Sequence, residues 1–184
     1  MKITILNGNP NGMNKDFDQF LAKLSVFLEK EHHAVTNLEL RSMDIKYCRG
    51  CWGCWVKTPG KCVFSDDSYT VCDETINADL VLFASPLIMG FASAVLKKTM
   101  DKLIPLAHPY IELVEKECHH RKRYDKYPLL GLVLERGGGH TDDEDIEITT
   151  DIFRRFALNF RSSLALVTFT DIPVQEVTDE INAI

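Results

Sequence analysis

The sequence predicts an α/β fold: a doubly wound, five-stranded parallel sheet with helices on both faces. Two observations carry this. Short β-rich apolar runs alternate with longer stretches of helical apolar spacing, and each unusual segment follows the carboxyl end of such a run. Lys2–Asn7 reads as a buried strand closed by the turn Gly8-Asn9-Pro10-Asn11-Gly12. From Asp16 to Glu31, Phe17, Phe20, Leu21, Leu24, Phe27 and Leu28 recur at helical spacing. Val35–Leu40 is the second strand, and Asp79–Ala84 is the third, ending at Ser85-Pro86. Phe91–Leu103 reads as helix, Leu129–Glu135 as the fourth strand before Gly137-Gly138-Gly139, and Ser163–Thr170 as the fifth. Asp142–Asn159 suits a helix, with acids in the first turn where the helix dipole favours them.

The 184 residues suit a single domain, 1–184, carrying insertions at about 41–68 and 105–128. A hydrophobic share of 45% supports one sizeable core. The net charge of −6 argues against a nucleic-acid binder, which needs a basic face. No apolar run approaches the ~20 residues that span a bilayer. The opening Met1–Leu6 lacks a signal peptide's cleavage site, so the expected location is cytoplasmic. In that reducing setting six cysteines read as metal ligands, redox groups or packing residues rather than disulfides.

In an open parallel sheet, ligands bind outside the carboxyl ends of the strands. The turn at Gly8–Asn14, the cysteine segment, Ser85–Phe91 and the glycine triplet all follow such ends. The first of these joins a strand to a helix N-terminus, where free N–H groups and the dipole suit an anion; a plain turn with an Asn cap is the simpler reading of that loop alone.

Several segments taken in order resemble the flavodoxin-like NAD(P)H-dependent FMN reductases and their iron–sulfur flavoprotein relatives. They are Asn7-Gly8-Asn9-Pro10, Cys48-Arg49-Gly50-Cys51-Trp52-Gly53-Cys54-Trp55, Thr58-Pro59-Gly60-Lys61-Cys62 and Asp66-Asp67, then Ala78-Asp79, Ser85-Pro86, Leu96-Lys97 and Asp101-Lys102. The resemblance implies a flavodoxin-like sheet of order 2-1-3-4-5. It implies an FMN phosphate at Asn9, Asn11, Gly12, Asn14 and Lys15. It also implies an isoalloxazine between Ser85, Pro86, Leu87, Ile88, Met89 and Gly90 on one side and Gly137, Gly138, Gly139 and His140 on the other. The chain departs from type in one respect: the family's phosphate loop is rich in hydroxyls, and this one has none.

Cys48, Cys51, Cys54 and Cys62 fall at compact spacing, and the resemblance points to them as ligands of a 4Fe–4S cluster. Unmetallated packing, zinc and redox disulfide chemistry stay open beside it. Trp52 and Trp55 suit cofactor shielding or plain packing, while Cys72 and Cys118 read as buried or neutral thiols. The basic run His119–Arg123 reads as a solvated face or a phosphate contact, and the adjacent histidines do not suggest a metal site.

The expected activity moves electrons from NAD(P)H through FMN to a quinone, flavin or other small acceptor, or to a redox partner protein. Hydride transfer needs no side-chain acid or base, so no catalytic residue is assigned. The alternatives are a non-enzymatic flavodoxin-like or iron–sulfur electron carrier, and a metal-binding domain that has lost FMN. The two insertions and their aromatics offer an interface for a homodimer or higher homo-oligomer. Neither nucleic acid nor membrane is an expected partner.

Overall fold

The computed structural model describes residues 1–137 and 141–184. Five strands run parallel: β1 (Lys2–Asn7), β2 (Ala34–Glu39), β3 (Leu80–Ile88), β7 (Leu129–Glu135) and β8 (Leu164–Phe169). They lie side by side as β2-β1-β3-β7-β8, which is the expected order 2-1-3-4-5 counted over the parallel strands. The central strand β3 is buried from Leu80 to Leu87. Helices cover it on both sides, so its sequence is a continuous apolar run with no alternation.

Its side chains divide between two cores. Leu80, Leu82 and Ala84 meet α1 (Lys15–Lys30) and α6 (Val174–Asn182) through Phe17, Leu21, Leu24, Val177 and Ile181. Val81 and Phe83 face the opposite layer of α3 (Ser68–Ile76), α4 (Ala94–Asp101) and α5 (Asp143–Asn159), through Val71, Leu96, Met100, Phe153 and Ala157. Phe83 meets Phe153 edge-on, with ring centroids 5.3 Å apart, the favoured geometry for aromatic quadrupoles.

Three elements differ from the sequence reading. The third strand does not end at Ser85-Pro86. Ser85 and Pro86 still pair with β7, and the chain then folds back through Met89-Gly90 onto β4 (Phe91–Ala92). Met89 (φ 52°) and Gly90 (φ 77°) both have positive φ, as a tight two-residue hairpin turn requires. The following helix therefore starts only at Ala94, capped by the Ser93 hydroxyl accepting from the Leu96 N–H. The segment after Pro105 is a twisted antiparallel hairpin, β5 (Ala107–Val114) with β6 (Glu117–Lys122), laid against α5. Between β2 and α3, regular structure is confined to Leu40–Ser42 and the single turn α2 (Gly53–Val56). Among the described residues no helix is long and apolar enough to cross a membrane.

Candidate functional site: the carboxyl edge of the sheet

The loop after β1 is built from asparagines that close on their own backbone. Asn7 Oδ1 accepts from the Asn9 N–H, Asn9 Oδ1 from the Asn11 N–H, and Asn11 Oδ1 from the Met13 N–H, each at 3.0 Å. These are three successive Asx turns, the local bond that draws asparagine into loops. Asn14 then caps α1, its Oδ1 accepting from the Phe17 N–H. Asn9 is fully buried, and its amide donates to the Asn14 carbonyl at 3.0 Å. Of the sequence candidates here, Asn9 thus faces inward, while Asn11, Gly12 and Lys15 are exposed and Asn14 is half-buried.

Two side chains that the sequence reading missed complete this corner. The Asn14 amide donates to Glu135 Oε2 at 2.7 Å, joining the first loop to the end of β7. Arg41, from the turn after β2, lies over the loop. Its guanidinium donates to the Asn9 carbonyl at 3.4 Å and forks onto Asp18, with Nη1 3.1 Å and Nη2 2.9 Å from the two carboxylate oxygens. Glu39 is a further partner of the same guanidinium. Burial pushes the Asp18 carboxyl up. Hydrogen bonds from Asn7, Arg41 and Asn9, together with the Arg41 charge, outweigh that and hold it below the ordinary value. Neither Arg41 nor Glu135 carries a local motif, so only the fold brings them in.

The other candidate segments meet the first loop at the same edge. The Gly8 N–H donates to the Ala84 carbonyl at 2.8 Å, and the Ser93 hydroxyl donates to the Gly8 carbonyl. Ser85 Oγ accepts from the Ser93 N–H at 2.8 Å. A Cβ on Gly8 would lie 2.7 Å from Leu96 Cβ, so this close approach of loop to helix demands glycine. At the hairpin, Ser85, Pro86, Leu87 and Gly90 are buried, whereas Ile88 and Met89 project outward. Gly137 packs against the Leu87 carbonyl, close enough to place a Cβ 2.6 Å from that oxygen. The structure thus brings Asn14, Ser85, Leu87, Gly90 and Gly137 to one edge; Gly138, Gly139 and His140 lie outside the described residues.

The cysteine segment folds along the flank of α4. Cys48 and Cys51 are exposed, Cys54 is buried and Cys62 is half-buried. Burial pushes the Cys54 thiol up, and the neighbouring Cys48, Cys62 and Cys51 add to the shift. The Cys62 thiol accepts from Lys102 Nζ at 3.3 Å. Lys102 also pairs with Asp66 at 2.9 Å, with the two side chains only 4% and 0% exposed. Burial opposes the Asp66 charge. Hydrogen bonds from Ser68, Lys102 and the Lys46 and Ser68 N–H groups reverse that and bring its carboxyl to about 2. Among the described residues no group of three or more His, Cys, Asp or Glu side chains stands in a metal-holding arrangement. Outside the group, Cys72 is half-buried and burial raises its thiol to about 12, in keeping with a neutral thiol, whereas Cys118 is exposed.

Beside this segment lies a cavity of about 720 Å³, walled by Trp52, Phe64, Met100, Ile104, Ile111 and Phe156 among others. It sits on the flank, away from the Asn loop. The indoles of Trp52 and Trp55 stack with centroids 4.9 Å apart, and Trp55 Nε1 donates to the Ala107 carbonyl, so both brace the segment against β5. The basic run is tied down internally. Arg121 pairs with Glu112, and Arg123 donates to the Pro105 and Ala107 carbonyls. His119 is buried against Asn159 and Glu117, and His120 tilts against Trp55, so the adjacent imidazoles do point apart.

Comparison with known proteins agrees with this geometry. The model of the NADPH-dependent FMN reductase family matches residues 1–142. Over 102 residues the chain is 29% identical to an iron-sulfur flavoprotein of Archaeoglobus fulgidus, which covers 55% of this chain and 48% of that protein. The chain spans about half the length, or less, of the curated relatives it matches. Among solved structures, an azoreductase of Bacillus anthracis superposes with a TM-score of 0.64 at 14% identity, covering 100% of this chain and 94% of the other. An FMN-dependent NADH-azoreductase of Bacillus anthracis in complex with FMN gives 0.62 at 13% identity, covering 98% and 93%. At such identities these two likenesses concern the fold. The family match is broader: its residues run through the Asn loop, the cysteine segment, the β3–β4 hairpin and the end of β7, and the chain belongs to the NADPH-dependent FMN reductase family.

Proposed function

We propose that the protein is an FMN-dependent oxidoreductase that moves electrons from NAD(P)H to a quinone, flavin or other small acceptor. The observation that carries the reading is the meeting of the Asn loop, the β3–β4 hairpin and the β7 end at one sheet edge, within the stretch matched by the family. The donor set suits FMN. Around Gly12 there is open space bounded by Arg41 Nε, 3.8 Å from where a Cβ would stand, and the exposed Asn11 amide and Lys15 ammonium lie on the same loop. Amide, ammonium and guanidinium donors at the start of a 16-residue helix suit a phosphate dianion.

In this reading Asn11, Gly12 and Lys15 hold the phosphate end, while Asn9 and Asn14 shape the loop from within. Ser85–Gly90 and Gly137 hold the ring end. There the exposed Ile88 and Met89 offer apolar contact, and the close approach of Gly137 to Leu87 keeps side chains out of the way. When bound, the flavin supplies the capacity to take a hydride and pass electrons on; the chain supplies position and charge. The wholly buried Ser85 and Leu87 side of the hairpin excludes water from beneath that contact.

A cluster at Cys48, Cys51, Cys54 and Cys62 draws support from the name of the curated relatives and from the spacing. The thiols as arranged do not fit it: two face solvent, one is buried, and Cys62 is engaged by Lys102. A segment this rich in thiols suits a reducing, cytoplasmic setting, where such cysteines stay unpaired. Exposed Trp52, Val56, Ile111 and Leu113 support a homodimeric assembly.

Anaerobic purification with a visible spectrum, iron and sulfide assay, and NAD(P)H oxidation with a quinone or flavin acceptor tests the reading. The expected result is a flavin spectrum with acceptor-dependent NAD(P)H consumption. Protein that neither carries flavin nor regains it from added FMN overturns the proposal. Flavin binding without NAD(P)H oxidation points instead to an electron carrier.

A further inference from the structure

The loop that should receive a phosphate has no hydroxyl, and three of its N–H groups are already taken by its own asparagine side chains. Its surroundings are also acidic. Asp16 and Asp18 lie in the first turn of α1, and Glu135 touches Asn14. A dianion placed there shares the corner with these carboxylates, and the repulsion at short range calls for a nearby cation. Lys15 is one such cation, but it is exposed to solvent, which screens its charge.

Resting on the proposed FMN reading, we infer that Arg41 is the charge-balancing residue of the phosphate subsite and sets the preference for FMN over the unphosphorylated flavin. Four observations support this. The guanidinium is fixed from below by the two-pronged contact with Asp18 and by the Asn9 carbonyl, so little rotamer freedom is left to lose. Its Nε faces the open side of Gly12, the glycine at the centre of the candidate phosphate loop, and among the described residues no acceptor engages that Nε. It pairs with Asp18, the α1 carboxylate held below its ordinary value, and so offsets a charge that a dianion would otherwise face. Glu39, its remaining partner, is 45% exposed, and water can replace the guanidinium there at little cost.

Arg41 comes from the turn after β2, whereas the loop follows β1, and β1 and β2 pair in parallel so that their carboxyl ends lie together. That register brings a guanidinium to the loop from outside it, where it takes the place of the missing hydroxyls. With both Nη groups on Asp18 and Nε left toward the loop, the guanidinium serves two partners at once as a single ammonium does not, so lysine is not an equivalent replacement.

The test compares FMN and riboflavin binding by flavin fluorescence quenching in the full chain, with far-UV circular dichroism and thermal melting as folding controls. Wild-type protein is expected to bind FMN more tightly than riboflavin. Arg41→Gln is expected to weaken FMN about tenfold or more while leaving riboflavin within about twofold, and Arg41→Lys to recover part of the loss. Glu39→Gln, which frees the guanidinium and leaves the loop untouched, is expected to tighten FMN a few-fold without moving riboflavin. Raising ionic strength should weaken FMN binding in wild type more than in Arg41→Gln. An unchanged ratio of FMN to riboflavin affinity in Arg41→Gln, or equal loss of both flavins in a folded variant, overturns the assignment and leaves the FMN reading standing. Wild-type protein that binds neither flavin overturns both.

Discussion

The loop after β1 and the segment after β2 leave the sheet side by side, yet they are built on opposite plans. The first is short and closes on itself: its asparagine oxygens accept loop N–H groups, and Asn9 is sealed inside. The second is long, shows Cys48, Cys51 and Trp52 to solvent, and has a deep anchor in the Lys102–Asp66 pair, which also collects the Lys46 and Ser68 N–H groups and the Cys62 thiol. Local bonds make a loop rigid without a core, whereas a long segment needs a charged peg driven into the core that it flanks.

Breaking the peg should have the largest effect. Lys102→Met leaves Asp66 buried without its cation, and a loss of about 3–5 kcal/mol in urea unfolding is expected. A loss below ~1 kcal/mol would mean that the segment is anchored elsewhere. The same pair predicts a pH signature. Asp66 is brought from its ordinary 3.8 to about 2 in the folded chain. A depressed carboxyl stabilises the fold above its unfolded value, and that stability is lost as pH falls from about 4 through about 2. The term is about 2 kcal/mol, and Asp66→Asn should flatten it in an acid titration of stability.

In the first loop the contribution is spread over several bonds, so the cost of a single change is smaller. Asn9→Ala removes the acceptor of the Asn11 N–H and the donor to the Asn14 carbonyl, and about 1–2 kcal/mol is expected in the same measurement. Cys48→Ser should move stability by less than about 0.5 kcal/mol, because the thiol is exposed. A larger drop, in protein shown to carry iron, would reveal the thiol as a ligand and upset the contrast between the two segments.

Much of the sheet could be read from the chain, because β1, β3 and β7 are buried on both faces and therefore print as plain apolar runs. The β5–β6 hairpin escaped for a physical reason. Its turn residues Glu115 (φ 50°) and Lys116 (φ 70°) are left-handed without being glycine or asparagine, and β6 is a run of polar residues. The short α6 was also missed, since its Val177 and Ile181 stripe occupies only nine residues. At the site, the asparagine turn announced itself through local turn chemistry, whereas the β3–β4 hairpin through Met89-Gly90 did not. Arg41 and Glu135 did not, because their partners Asp18 and Asn14 are distant in sequence and no short pattern links them.

The Asn14–Glu135 contact spans two strands that are not neighbours. Strand β3 lies between β1 and β7, and Pro86 of β3 is the register partner of Glu135, so the amide–carboxylate bond ties together the two strands that flank β3 like a strap. The spacing of the strands at this rim is therefore governed by a side-chain tie as well as by the backbone ladder. A molecule settling at the rim must either accept the strap as part of its floor or part it, and in the second case only the backbone ladder through β3 joins the two halves of the sheet where they face that molecule.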